Sequence, residues 1–231
     1  MLFAGAPAAE PPGPPGPESL AAARAELVAT QIVARGVTGS RLLEALRRVE
    51  RHRFVPDHLH GLAYADRPLP IGHGQTISQP YIVALMTELA AVRPGARVLE
   101  VGTGSGYQAA VLSVLAREVY SIEIVAPLAD EARARLRRLG YANVEVRTGD
   151  GYRGWPERAP FDAILITAAP PEIPEPLLSQ LAVGGRLVAP VGSEGGVQEL
   201  VTVERTATGF TRRTAIPVRF VPMTGEAQER R

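Results

Sequence analysis

The feature that most constrains this chain is its middle, where short apolar runs alternate with helix-length segments. Residues 97–101, 119–124, 144–147, 163–167 and 186–191 each read as a buried strand. Between them, residues 107–117, 126–139 (stopped at Gly140) and 176–181 read as helices. Apolar strands joined by helices need both faces of their sheet covered. The pattern therefore predicts an α/β fold with a doubly wound, mostly parallel sheet. The end of the chain breaks the rule: residues 199–203 and 210–220 flank Thr208-Gly209, which predicts an antiparallel hairpin.

The N-terminal part reads differently. Residues 1–17 hold six prolines and three glycines and little that is apolar, the composition of a disordered leader. A helix is expected from Ser19, with Ala21, Ala25, Val28 and Ile32 on one face and Gly36 as its stop. A second opens at Ser40 with Leu42, Leu46 and Val49 inward. Residues 52–79 form a long turn-rich segment, and a stretch of that length is usually functional. Pro80 then opens a third helix carrying Ile82, Leu85, Met86 and Leu89. The expected organisation is a leader over 1–17 and one domain over 18–231. That domain divides into N-terminal helices and active-site segment (18–92), α/β core (93–198) and C-terminal strands and tail (199–231).

Composition removes whole classes of chemistry. The 231 residues contain no cysteine, and all 25 basic residues are arginine. Disulfides, thiolate metal sites, cysteine or lysine nucleophiles, a GxxxxGK[ST] phosphate loop and a pyridoxal Schiff base are thus excluded. The 25 basic and 24 acidic residues nearly cancel, so neither a nucleic acid nor a membrane surface is the expected partner. No basic start or apolar segment marks an export signal, and the expected location is cytoplasmic. The four histidines, His52, His58, His60 and His73, are too thinly supported by Asp57 to hold a metal, and none is expected.

The sharpest local signal is V-L-E-V-G-T-G-S-G, residues 98–106, between a strand and a helix. Gly102, Gly104 and Gly106 permit a tight turn and close approach of a ligand to a helix N-terminus. The spacing departs from GxGxxG, because position 107 is tyrosine. Glu100 precedes the loop, Glu123 ends the second strand, and Asp150-Gly151 follows the third. All three carboxylates lie at one edge of the sheet, the edge where such folds bind ligands. Singly, each could merely cap a helix or solvate a strand end. Together they are harder to explain that way, and Glu123 stands where an acidic group can grip two ribose hydroxyls.

This constellation resembles the Rossmann-like S-adenosylmethionine-dependent methyltransferases. The stretch A-Y-A-D-R-P-L-P-I-G-H-G-Q-T-I-S-Q-P-Y, residues 63–81, narrows the resemblance to the protein-L-isoaspartate (D-aspartate) O-methyltransferases. R-H-R-F-V-P, F-D-A-I-L-I-T-A-A-P and V-R-F-V-P-M-T-G are similar to further segments of that family. The similarity runs from about Ser19 to Gly225.

The resemblance implies methyl esterification of the free α-carboxylate of L-isoaspartyl residues in damaged proteins and peptides, with S-adenosyl-L-methionine as cofactor. The ester then closes to a succinimide and begins repair. It places the active-site serine on Ser78. It places cofactor contacts on Thr76, Ile77, Ser78, the loop Gly102, Thr103, Gly104, Ser105 and Gly106, and on Glu123, Asp150 and Gly151. Glu100 joins them from the residue reading, and Thr224 is the counterpart of a threonine near the C-terminus. A monomer is expected. Ser78 also stands where an N-cap for the following helix belongs, a role compatible with a catalytic one. Two other readings use the same fold: a methyltransferase acting on RNA or a small metabolite, and a non-catalytic member that binds cofactor or a protein partner.

Overall fold

The computed structural model describes residues 16–229. The expected leader lies outside the described residues as far as residue 15. Its last member, Pro17, belongs instead to α1 (Pro17–Leu27), where a proline at the first helical position gives up no hydrogen bond. The helix continues through a π turn and a 3₁₀ turn to Gly36, whose φ of 91° ends it. Leu20, Leu27, Val28 and Ile32 are buried, whereas Ala21 and Ala25 face solvent. The leucines remove more apolar area from water, so the helix rolls toward them rather than toward the alanines. In α2 (Ser40–Arg48), Leu42, Ala45 and Leu46 are buried, and Val49 follows them inward.

The segment expected to be all turns contains a small hairpin. β1 (Leu69–Gly72) pairs antiparallel with β2 (Gln75–Ile77) across Gly72-His73-Gly74, three residues with positive φ. Two 3₁₀ turns, Arg51–Phe54 and Asp57–Leu62, lead into it. α3 (Pro80–Ala90) opens at Pro80 as expected, but Val83, Ala84, Met86 and Thr87 are its buried face. Ile82, Leu85 and Leu89 are half-buried beside them.

Strands β3 (Arg97–Val101), β4 (Glu118–Glu123), β5 (Val144–Thr148), β6 (Phe161–Ile166), β7 (Leu181–Val191), β8 (Gln198–Arg205) and β9 (Phe210–Val218) form one seven-stranded sheet in the order β5-β4-β3-β6-β7-β8-β9. The pairs from β5 to β7 are parallel, and β8 and β9 add antiparallel at one edge. Helices α4 (Tyr107–Leu115), α5 (Ala126–Arg138), α6 (Glu175–Ser179) and α7 (Glu226–Glu229) complete the fold. Alternate strand residues serve opposite faces. Val98, Val119 and Ala163 join the core under α2–α5, whereas Leu99, Ile122 and Ile164 meet Trp155, Leu177 and Met223. The chain leaves β3 toward β4 and returns on the other side through β6. The strand order therefore reverses at the carboxyl ends of β3 and β6, where open α/β sheets bind ligands.

Candidate active site

A cleft opens at that reversal point. Its walls are the ends of β3, β4 and β6, the end of β2, and residues 221–224. The glycine loop forms the floor and is held from three sides. Gly104 N–H donates to Glu123 Oε2 at 2.8 Å, and Val125 N–H donates to Glu123 Oε1 at 2.9 Å. Thr167 Oγ1 donates to the Gly102 carbonyl at 2.6 Å, and Arg135 donates to the Ser105 carbonyl at 2.9 Å. A side chain at Gly102 (φ +100°) would drive its Cβ into Thr167 Oγ1, so glycine is required there on two counts.

The cleft also has a definite electrostatic character. Glu123 is the single charged side chain among the residues that line it. A ligand with a positive centre and sugar hydroxyls meets a carboxylate and backbone amides there. A pyrophosphate would meet a carboxylate and no cation. Ser105 Oγ is buried and without a hydrogen-bond partner among the described residues, an unused group on the same wall.

Of the residues picked from sequence, Thr76, Ile77, Ser78, Gly102, Thr103, Gly104, Ser105, Glu123, Gly151 and Thr224 line the cleft. Three do not. Glu100 points beneath the floor, fully buried, where Ser121 Oγ donates to its Oε2 at 2.5 Å and its Oε1 has no partner among the described residues. Burial raises its carboxyl to about 8. Strand parity explains the miss: in β3 the neighbouring Val101 faces the cleft and Glu100 faces the opposite way. Asp150 spends both oxygens on backbone, accepting from Tyr152 N–H at 2.8 Å and from Glu226 N–H at 2.7 Å. Gly106 packs under Leu136, 3.2 Å from where a Cβ would stand. Sequence reasoning missed Tyr107, Gln108, Thr167, Val221 and Met223. Thr167 was findable, because it follows an apolar strand at the ligand-binding edge.

A second, largely apolar groove lies against the first. Arg35, Ile82, Val197, Ile216 and Phe220 line it, and Thr76, Ser78, Thr167 and Val221 line both. Ser78 thus sits in a partition between two cavities. It does not cap α3: Gln79 is the N-cap residue, and no side-chain cap bond is made. Asp66, fifteen residues before Tyr81, takes the cap's place. Its Oδ1 accepts from Tyr81 N–H at 2.9 Å, while Oδ2 accepts from Gln79 at 2.7 Å and Arg35 at 2.8 Å. The hydroxyls of Thr76 and Ser78 make no hydrogen bond within the described residues and stay free for a ligand.

Arg51 fixes this partition from behind. Its guanidinium is fully buried and donates to the carbonyls of Ala63 (2.8 Å), Ser78 (2.9 Å) and Arg67 (3.2 Å). Burial lowers it to about 10, still cationic at neutral pH. Elsewhere, Arg133 and Arg135 fold back onto the Val146 and Ser105 carbonyls, while Arg137 and Arg138 are exposed. No group of three or more histidine, aspartate or glutamate residues able to hold a metal occurs among the described residues.

Comparison with known proteins converges on one family. The model of protein-L-isoaspartate(D-aspartate) O-methyltransferase matches residues 22–228. A protein-L-isoaspartate O-methyltransferase of Synechococcus sp. (strain JA-2-3B'a(2-13)) is 56% identical over 226 residues, covering 95% of this chain and 93% of its own. A solved structure of a protein-L-isoaspartate O-methyltransferase superposes with a TM-score of 0.80 at 30% identity, over 88% of this chain and 67% of that one. A candidate protein-L-isoaspartate O-methyltransferase from Plasmodium falciparum, in complex with S-adenosyl-L-homocysteine, gives 0.75 at 25% identity, over 87% and 98%. The chain belongs to the protein-L-isoaspartate(D-aspartate) O-methyltransferase family.

Proposed function

We infer that this protein methylates the free α-carboxylate of L-isoaspartyl residues, with S-adenosyl-L-methionine in the first cavity and the damaged peptide in the second. The observation that carries this reading is the partition: Thr76, Ser78, Thr167 and Val221 line both spaces, so a donor bound in one and an acceptor bound in the other would meet across these four residues. S-adenosyl-L-methionine, when bound, supplies a methyl group on a positively charged sulfur. Glu123 and the glycine-loop amides would hold it, and Glu123 keeps a second lone pair on each oxygen for ribose hydroxyls.

The accepting carboxylate has a pKa of about 4 in water and is ionised at neutral pH, so no general base is needed. The partition offers none: two threonines, a serine and a valine carry no titratable group. What the residues can do is orient. The unengaged hydroxyls of Thr76 and Ser78 would donate to the substrate carboxylate, and Ile77 and Val221 limit water around it. Alignment of this kind can take about 7–11 kcal/mol off the barrier of a reaction between bound partners. Thr103, Ser105, Gly151 and Thr224 complete the cofactor wall.

The same reading has the enzyme working as a monomer in the cytoplasm. No helix among the described residues is long and apolar enough to cross a membrane. The test is chemical. An isoaspartyl peptide incubated with enzyme and S-adenosyl-L-methionine is expected to convert through a succinimide to a mixture containing the normal aspartyl peptide. A peptide that stays isoaspartyl would contradict the assignment.

A further inference from the structure

The second groove has a charge pattern that goes beyond recognition of the isoaspartyl group. Fourteen residues line it, among them Arg35 and Arg219 and not one carboxylate. The two arginines differ. Arg35 is ion-paired with Asp66 at 2.8 Å, and its guanidinium lies 3.3 Å from the centre of the Tyr81 ring. Both contacts hold it in place and compensate its charge. Arg219 is exposed and makes no ion pair or side-chain hydrogen bond among the described residues. Its backbone is nevertheless fixed. The next residue, Phe220, donates its N–H to Gln198 Oε1 at 2.8 Å, and the Val221 carbonyl accepts from Ala169 N–H at 2.8 Å. Glu199, on the adjacent strand, is not part of the groove wall and accepts from Thr214 at 3.3 Å.

An uncompensated cation on a rigid rim of the groove that Ser78 also lines selects among peptides by their flanking charge. We propose that Arg219 gives this enzyme a preference for isoaspartyl sites flanked by acidic side chains. This rests on the assignment of the groove to the peptide. Glu123, the one charged side chain of the cofactor cavity, does not line this groove, so it does not set the groove's charge. Damaged sites next to aspartate or glutamate would then be engaged before those next to lysine or arginine.

The experiment uses the full chain and three isoaspartyl peptides, identical except that the residues on both sides of the isoaspartyl position are alanine, glutamate or lysine. An exposed charge pair changes affinity by about two- to fivefold, so KM is expected to rise by that factor from the glutamate to the alanine peptide and again to the lysine peptide. The spread is expected to shrink in 0.5 M salt, roughly where screening exceeds the reach of a surface charge. In Arg219→Glu the order is expected to invert, while Arg219→Gln is expected to flatten it. Equal KM values for the three peptides in the native chain, or an order unchanged in Arg219→Glu, would overturn the proposal. The alanine peptide keeps the two questions apart: if it is not methylated at all, the assignment of the groove falls, and this inference with it.

Discussion

The Arg51 guanidinium reaches the Ser78 carbonyl at 2.9 Å from inside the protein, while the Ser78 hydroxyl is left unengaged on the other side. One residue is buried and charged, the other is half-buried and free, and the first sets where the second points. The same guanidinium also takes the Ala63 and Arg67 carbonyls, so both ends of the segment carrying Thr76 and Ser78 hang from one side chain.

Replacing Arg51 by methionine would leave three inward-facing carbonyls without a donor. Each such loss costs about 1–3 kcal/mol, and the variant is expected to lose at least ~3 kcal/mol of stability in urea denaturation. Amide exchange across residues 63–78 is expected to accelerate more than exchange in the central strands. Native stability in Arg51→Met would show that the three bonds contribute nothing net.

For Ser78→Ala, structure and chemistry give separable outcomes. The hydroxyl caps nothing, so stability is expected to change by less than ~0.5 kcal/mol. Turnover is expected to fall on the order of 10- to 100-fold, as for a misaligned displacement, with S-adenosyl-L-methionine affinity changed much less. Native turnover in the folded variant would remove Ser78 from the reaction.

Glu123→Ala removes the charged group of the cofactor wall, one anchor of the glycine loop at Gly104 and one hydrogen bond to Val125. Cofactor affinity by calorimetry is expected to weaken by about 1–3 kcal/mol, the worth of hydrogen bonds to a charged group. Unchanged affinity would mean that the carboxylate serves the loop alone.

Glu100 predicts a pH dependence of stability. In the folded state its carboxyl holds a proton up to about pH 8, whereas unfolded it ionises near 4.5. The folded state then binds more protons between these values, so stability falls as pH rises from about 4.5 to about 8 and levels off above. Glu100→Gln is expected to flatten that slope and raise the melting temperature at about pH 8. A slope identical in both proteins would place the titration elsewhere.

The sheet was legible in the sequence because its strands are apolar on both faces and its helices carry their own stops, as at Gly140. The glycine loop and Glu123 were legible because both lie at strand ends. The hairpin was not, since Leu69–Gly72 is four residues long and contains a proline, too little for a period of two to show. The cap of α3 was hidden for a different reason. Asp66 and Tyr81 meet across a segment that the 69–77 hairpin and the Arg51 and Arg35 contacts fold back, a relationship with no local sequence signature. Glu100 misled because a strand end looks the same from sequence whichever face its last residues take.

Isoaspartyl methylation is read most directly as label transfer from radiolabelled S-adenosyl-L-methionine to a matched pair of peptides, one with an isoaspartyl linkage and one with the normal aspartyl linkage at the same position. Methyl esterification of the isoaspartyl carboxylate puts base-labile label on the isoaspartyl peptide and leaves its twin at background. Equal labelling of the two, or labelling of neither, would contradict it.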